Sequence, residues 1–417
     1  MSIILFSVFI VLLIIGVPVA FSIASASVVT IFFGLGSNRL LMVVQRMFES
    51  CNSFSLIAVP FFILAGDLLS KGKISRLLVE FCESFLGVIR GGLSIVSVLA
   101  GMFFAAISGS GAATTAAVGG ALINELKLRG YNEASSAALI AAAGTIGVVI
   151  PPSVPMVLYA VIAEVSVSNL FKAGFVPGFI MGGILIAISL YQGKKLNYPK
   201  GGHLSIAKII KSFVLAIPGI LMPVIILGGI FSGIFTPSEA AAIAVAYAVF
   251  VSAFIYRDLT LKSLFHIMLD SARTSAVIMI IIACSGAFGW CLANWKIPET
   301  ISNAVLSVSA NKYIIMLLIS IIILIAGVFM ETSSAIILLT PVFLPLIKAL
   351  NISYMHFGVL FVVGIAIGMI TPPVAINLFV ASGITGLPIE KISRAVVPYL
   401  IGLILVFLGI VFVPLFF

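Results

Sequence analysis

The chain has 417 residues, 62% of them hydrophobic and only 8% charged, with 22 Lys and Arg against 13 Asp and Glu for a net charge of +9. A soluble domain carries about 25% charged residues, so an ordinary soluble fold is excluded. The basic excess lies in short connections, where it acts as a topology determinant rather than a nucleic-acid footprint.

At about 20 apolar residues per span, the chain has room for about ten to twelve crossings plus half-membrane segments. The first apolar run, Ile3–Phe33, has no positive leader and is too long for a signal-peptide core, so it reads as a retained span that Pro18 bends or divides. Arg39 and Arg46 after it predict an inner loop and an outward N-terminus. Leu56–Leu69 contains Pro60, and Lys71–Glu83 places Ile74, Leu77, Leu78 and Phe81 at helical spacing, as an interfacial helix does. Two short runs, Leu93–Ile107 and Ala112–Ile123, flank Ser108-Gly109-Ser110-Gly111; their length predicts a re-entrant hairpin at about 93–123. A broken helix follows at 134–164, and Leu170–Tyr191 closes a first unit, residues 1–191.

Residues 192–212 read as a cytoplasmic linker. They hold Lys194, Lys195, Lys200, Lys208 and Lys211, no acid occurs from Val165 through Pro237, and Tyr198-Pro199-Lys200-Gly201-Gly202 is a chain-breaking run. A second unit, 213–417, opens with runs at Phe213–Phe235, Ala240–Tyr256 and Ala276–Trp290. It continues with a hairpin at about 312–350 around Met330-Glu331-Thr332-Ser333-Ser334, a broken helix at 357–383 and a last run from Ala395.

The second unit repeats the first. Gly147-Val148-Val149-Ile150-Pro151-Pro152 recurs as Gly368-Met369-Ile370-Thr371-Pro372-Pro373, an offset of 372 − 151 = 221 that also relates Pro177 to Pro398, Lys127 to Lys348 and Ser110 to Glu331. Proline inside a helix costs about 3 kcal/mol, and the freed backbone groups find no water in hydrocarbon. Two such breaks at matching positions are the sequence mark of a transporter site at mid-bilayer. An outward N-terminus, a basic inner linker and an outward C-terminus imply inverted units, although Arg257, Lys262 and Arg273 are then expected on the outer side, offset only by Asp258 and Asp270.

The candidate binding residues follow from the breaks and tips. Ser108, Gly109, Ser110 and Gly111 offer hydroxyls and accessible carbonyls, as do Thr145, Pro151 and Pro152 beside the first break; all-oxygen sets suit Na⁺, and half-helix N-termini suit an anion. Gly/Ser tips also serve as plain close helix contacts. Glu331, with Thr332 and Ser333, is an ionisable group at membrane depth, an ion ligand or a cap for its own half-helix. Thr371, Pro372, Pro373 and Asn377 mark the second break; Asn377 is a candidate substrate or ion contact. Asp67, Glu164 and Glu239 read as interfacial. Cys51, Cys82, Cys284 and Cys291 form no CxxC pair, the three histidines have no metal spacing, and no ATP-binding loop or catalytic triad occurs, so transport without ATP is expected and an enzyme is not.

In order along the chain, Ile63-Leu64-Ala65-Gly66-Asp67-Leu68, Arg90-Gly91-Gly92-Leu93, Ala106-Ile107-Ser108-Gly109-Ser110, Arg129-Gly130-Tyr131, Ile150-Pro151-Pro152-Ser153 and Leu170-Phe171-Lys172-Ala173-Gly174, then Met330-Glu331 and Thr371-Pro372-Pro373 with Asn377-Leu378-Phe379, resemble the large membrane subunit of TRAP transporters, the tripartite ATP-independent periplasmic family. The resemblance covers essentially the whole chain. It implies an all-α polytopic protein of the bacterial inner membrane, with two inverted repeats divided into an elevator-type scaffold and transport domain. It implies Na⁺-coupled uptake of an organic acid such as a C4-dicarboxylate or sialic acid, a small four-span membrane subunit and a periplasmic binding protein as partners. On this resemblance Ser108, Ser110, Glu331, Thr332 and Thr371 are the Na⁺ candidates. The alternative within transporters is a stand-alone ion-coupled anion carrier of similar fold.

Overall fold

Proline and glycine set many of the element boundaries. In the computed structural model, which describes residues 1–200, 204–300 and 311–412, every regular element among the described residues is a helix, and no strand occurs among them. The Gly201-Gly202 part of the linker signal, residues 301–310 and the last five residues of the second unit lie outside that description. Seven helices are long and apolar enough to cross a bilayer, eight if one bent pair counts as a span. The expected span at Ile3–Phe33 is two helices, α1 (Ser2–Ile14) and α2 (Val19–Leu35), because Gly16 turns at φ +91° and Pro18 begins the second. α3 (Leu41–Cys51) and α4 (Ala58–Ser70) follow, the chain bending by 66° between them. α5 (Ile74–Leu86) buries Ile74, Leu78 and Cys82 and exposes Arg76.

From here the 221-residue offset falls on element boundaries. Hairpin arms α6 (Gly92–Ser108) and α7 (Gly111–Leu128) correspond to α14 (Lys312–Phe329) and α15 (Thr332–Ala349). The first arm pair runs past the expected 123 because Asn124, Glu125 and Lys127 lie at the hairpin base, where Arg129 pairs with Glu125 and Lys127 with Glu133. The broken helix α8 (Glu133–Thr145) and α9 (Val154–Ile162) corresponds to α16 (Tyr354–Gly368) and α17 (Ile376–Thr385), and α10 (Val167–Lys195) to α18 (Ile389–Phe412). Between the two sets lie α11 (Ile206–Phe231), α12 (Pro237–Phe250) and α13 (Leu261–Asn294). α13 is one unbroken helix where the first repeat has the bent pair α3 and α4.

Hydrogen bonds fix which end each element faces. Gly91 N donates to Pro199 O at 3.4 Å and Tyr131 stacks on Tyr198, so the base of the first hairpin sits at the linker. The second hairpin leads into Tyr354, whose carbonyl accepts from Tyr159 OH at 2.7 Å. Tyr159 lies on α9, and α10 has still to run back to the linker, so the second hairpin enters from the opposite end. The repeats are therefore inverted. Tyr247 OH donates to Pro218 O at 2.8 Å and Tyr256 OH to Leu215 O at 2.7 Å, the antiparallel order, so α12 returns to the linker end. Arg257, Lys262 and Arg273 thus belong to the linker side, contrary to the expectation that they face outward, and agree with a positive inner face. The opposite correction applies to Arg39 and Arg46. α2 ends with Gly34 against Trp295, at the far end of α13 from the Lys71–Asp270 pair, which places them away from the linker. Arg46 pairs with Glu49 at 2.9 Å, so α3 adds little net charge to steer topology.

Candidate functional site

Each break leaves a loop that its own side chains must satisfy. α8 is buried from Ser136 through Thr145, starts at the cap Asn132, and ends in the turn Ile146–Val148. Ser153 restarts the helix: it donates to Val148 O at 2.6 Å and accepts from Met156 N at 3.3 Å, with Pro155 in the first turn where a missing N–H is harmless. The Pro151–Pro152 and Pro372–Pro373 bonds are both cis. At the second break Thr371 Oγ1 donates to Ile367 O at 2.9 Å and Asn377 N to Met369 O at 3.0 Å. The first break is buried, whereas Pro372 and Pro373 are exposed.

The two hairpin tips meet at a cavity of about 210 Å³. Ser108, Gly109, Ser110 and Gly111 line it from the first tip, and Glu331, Thr332 and Ser333 from the second; α4 adds Ile63, Gly66 and Asp67, and α13 adds Thr274 and Ile278. Gly109 turns the first tip at φ +59°, and a Cβ there would stand 2.8 Å from Pro152 O, so the tip lies directly on the first break. A Cβ on Gly66 would stand 2.9 Å from Ser108 Cα, so α4 touches the tip backbone.

Seven expected residues therefore share one cavity wall: Ser108, Gly109, Ser110, Gly111, Glu331, Thr332 and Ser333. Thr145, Pro151, Pro152, Thr371, Pro372, Pro373 and Asn377 do not line it. Pro152 backs the first tip, and Thr145 Oγ1 donates to Ala142 O within its own helix at 2.7 Å. Asn377 is fully buried and joins the two broken helices, its Nδ2 donating to Ala141 O at 3.1 Å, while its Oδ1 has no hydrogen-bond partner among the described residues. An orphaned buried amide oxygen is the kind of donor a hard monovalent cation takes; no cluster of three His, Cys, Asp or Glu suited to another metal occurs among the described residues.

The tips differ electrically. Ser108 Oγ bonds Thr114 Oγ1 at 2.9 Å, and Ser110 is a neutral cap for α7. Glu331 caps α15, its carboxylate accepting from Ser333 N at 2.8 Å and Ser334 N at 3.2 Å. Asp67, read from sequence as interfacial, instead faces this cavity; the sequence carried no signal for it, because its depth depends on how α4 meets the tip.

An inverted duplication with two tips and two interrupted helices around a mid-bundle polar cavity defines a membrane transporter permease. The match to "Tripartite ATP-independent periplasmic transporter, DctM component" spans residues 6–416, and the chain belongs to that family. It is a multi-pass protein of the bacterial inner membrane. It is 40% identical over 415 residues to the isethionate TRAP transporter permease protein DctMQ of Oleidesulfovibrio alaskensis, covering 99% of this chain but 65% of that protein. It is 40% identical over 390 residues to the C4-dicarboxylate TRAP transporter large permease protein DctM of Pseudomonas aeruginosa (94% and 91% covered). To the sialic acid TRAP transporter large permease protein SiaM of Vibrio cholerae it is 34% identical over 405 residues (97% and 95% covered). The fold is similar to the crystal structure of the Alcanivorax borkumensis YdaH transporter, with TM-score 0.62 at 14% identity over 91% of this chain and 88% of the other.

Proposed function

We propose that this permease carries out Na⁺-coupled uptake of an organic acid anion, working with a small four-span membrane subunit and a periplasmic binding protein. The observation that carries the reading is the single cavity shared by both hairpin tips, with hydroxyls, carbonyls and two carboxylates and no Lys, Arg or His on its wall. Cations fit the oxygen-rich tips. An anion fits the start of α7, whose first residues Gly111, Ala112 and Ala113 line the cavity and whose cap is neutral. On this reading Ser108, Ser110 and the carbonyls beside Pro151-Pro152 serve one Na⁺, and Glu331, Thr332, Ser333 and Thr371 the related one.

Movement is proposed to follow the elevator scheme, the hairpins and broken helices sliding against α4, α11, α12 and α13. Clefts on both sides of the cavity support it. One of about 410 Å³ lies between α9 and α13 and reaches Glu164 at the outer end. Another of about 600 Å³ lies between α7 and α5 and reaches Glu83 and Glu125 at the inner end. Uptake into proteoliposomes containing both membrane subunits, driven by an Na⁺ gradient and fed by the binding protein, tests the proposal. Ser110→Ala and Glu331→Gln are expected to lower apparent Na⁺ affinity at least about tenfold, the loss of one charge-assisted contact. Unchanged Na⁺ dependence in both would refute it.

A further inference from the structure

We propose that Met369 is the positioning residue that couples the two hairpin tips: it orients the Thr332 hydroxyl as a cation ligand and holds the start of α7, so that the two cation sites fill cooperatively. The inference rests on the Na⁺ reading above and deepens it by naming the side chain through which one site senses the other. Met369 closes α16 at the second break, is 3% exposed and lines the cavity. Its carbonyl accepts from Asn377 N at 3.0 Å, which fixes its backbone to the start of α17. Its side chain reaches both tips. Sδ accepts from Thr332 Oγ1 at 3.3 Å, at the start of α15. The same sulfur and Cε lie on Gly111, at the start of α7, where an added Cβ would stand 3.0 Å and 2.9 Å from them.

A threonine hydroxyl has one hydrogen and two lone pairs. Thr115, Thr145 and Thr371 each donate that hydrogen to a carbonyl of their own helix. Thr332, the first residue of α15, donates to another segment instead. With its hydrogen on Met369, the lone pairs are left for a cation in the cavity whose wall Thr332 forms. A thioether is too soft to compete for Na⁺ and serves only as a weak acceptor. A cation on Oγ1 polarises the hydroxyl and draws Met369 more firmly onto it. Methionine has three rotatable side-chain bonds, and ordering them costs rotamer freedom. The first cation to bind bears that cost and the second does not, which is positive cooperativity. Gly111 carries the effect to Ser110, its neighbour and the ligand proposed at the first tip. The bridge runs from one repeat only. Thr332 and Gly111 are related positions (332 − 111 = 221), as are Met369 and Val148 (369 − 148 = 221). Val148 ends at its γ carbons and Gly111 has no hydroxyl, so the second repeat supplies the bridge and the first supplies its seat.

Na⁺ itself is the probe, titrated into the membrane complex in nanodiscs and followed by calorimetry and by the NMR signals of ¹³C-labelled methionine methyls. The unmodified protein is expected to bind Na⁺ with a Hill coefficient above about 1.5, where two sites allow at most about 2. The Met369 methyl is expected to shift along the same curve. Met369→Leu conserves volume and leaves every oxygen ligand in place. It is expected to bring the coefficient to about 1 and to weaken Na⁺ binding about fivefold, the loss of one neutral hydrogen bond. Met369→Gln keeps the reach and an acceptor atom and is expected to retain the cooperativity; it also assigns the methyl signal should Met369→Leu fold poorly. A side chain that only fills space would change stability in Met369→Leu and leave the coefficient alone. A coefficient that survives Met369→Leu, a Met369 methyl that Na⁺ does not shift, or non-cooperative binding by the unmodified protein each overturns the inference and leaves Na⁺ coupling intact. If the unmodified protein binds no Na⁺, the coupled-uptake reading falls, and this inference with it.

Discussion

Gly109→Ala separates the tip's contact with the first break from its backbone strain. Gly109 holds φ +59°, a conformation that costs an L residue about 1–2 kcal/mol. The added Cβ would also meet Pro152 O at 2.8 Å, Val154 N at 3.3 Å and Ser153 Cα at 3.4 Å, all backbone, so no side chain can turn away. Restoring ordinary contact moves the tip by about 3.4 − 2.8 = 0.6 Å from the break. Metal–ligand distances tolerate only about ±0.2 Å, so a cation shared by tip and break loses its geometry. Gly386→Ala is the control: φ is +69°, with nothing within 4 Å of the new Cβ. Gly386→Ala is expected to lose about 1–2 kcal/mol of thermal stability in detergent from backbone strain alone, and Gly109→Ala more, because the contact with Pro152 O adds to the same strain. Only Gly109→Ala is expected to lose more than about tenfold in Na⁺ affinity for uptake, the equivalent of 1.4 kcal/mol. Equal Na⁺ affinity in the two variants would refute the claim that the tip and the broken helix build one site.

Asn377→Leu is expected to change stability little in Na⁺-free buffer, because the buried Oδ1 it removes had no partner to lose, offsetting the lost bond to Ala141 O. The rise in melting temperature produced by Na⁺ should shrink by several degrees; an unaltered rise would separate Asn377 from the ion. Topology is checked with single cysteines in a background lacking the four native ones. Lys262→Cys and Lys200→Cys should be labelled by an impermeant thiol reagent from the cytoplasmic side, and Arg39→Cys from the periplasmic side. Labelling of Lys262→Cys from the periplasm would overturn the antiparallel placement of α11 and α12.

Much of this architecture was legible because duplication writes the same exception twice. A Pro-Pro pair inside an apolar run is costly in lipid, so Pro151-Pro152 and Pro372-Pro373 announce both a break and a register, and that register places α15 on α7 and α18 on α10. The tips were readable for the same reason. What the sequence hid depends on packing between distant segments. Asp67, four residues before Lys71, has the look of a helix-end ion pair, but Lys71 goes to Asp270 on α13 and leaves Asp67 to the cavity. Arg46 has the look of an inner-face anchor until Glu49 is seen to pair with it. The length of α13 was hidden by Lys262, Asp270 and Arg273, polar residues that a 34-residue helix carries on its inner-end turns.

The two repeats have diverged where function requires asymmetry. A perfect two-fold site would offer equal positive helix ends to both halves of a cargo and would suit a symmetrical dianion. Here Ser110 leaves the start of α7 open while its counterpart Glu331 closes the start of α15. The wall facing both tips is asymmetric as well: the bent pair α3 and α4 brings Asp67 inward, whereas the unbroken α13 brings Thr274 and Ile278. On the proposed reading, the duplicated scaffold supplies two related places, one at each tip, for backbone oxygens to hold cations. The departures from symmetry then make the two places electrically unlike, a neutral serine cap at one tip and a carboxylate at the other.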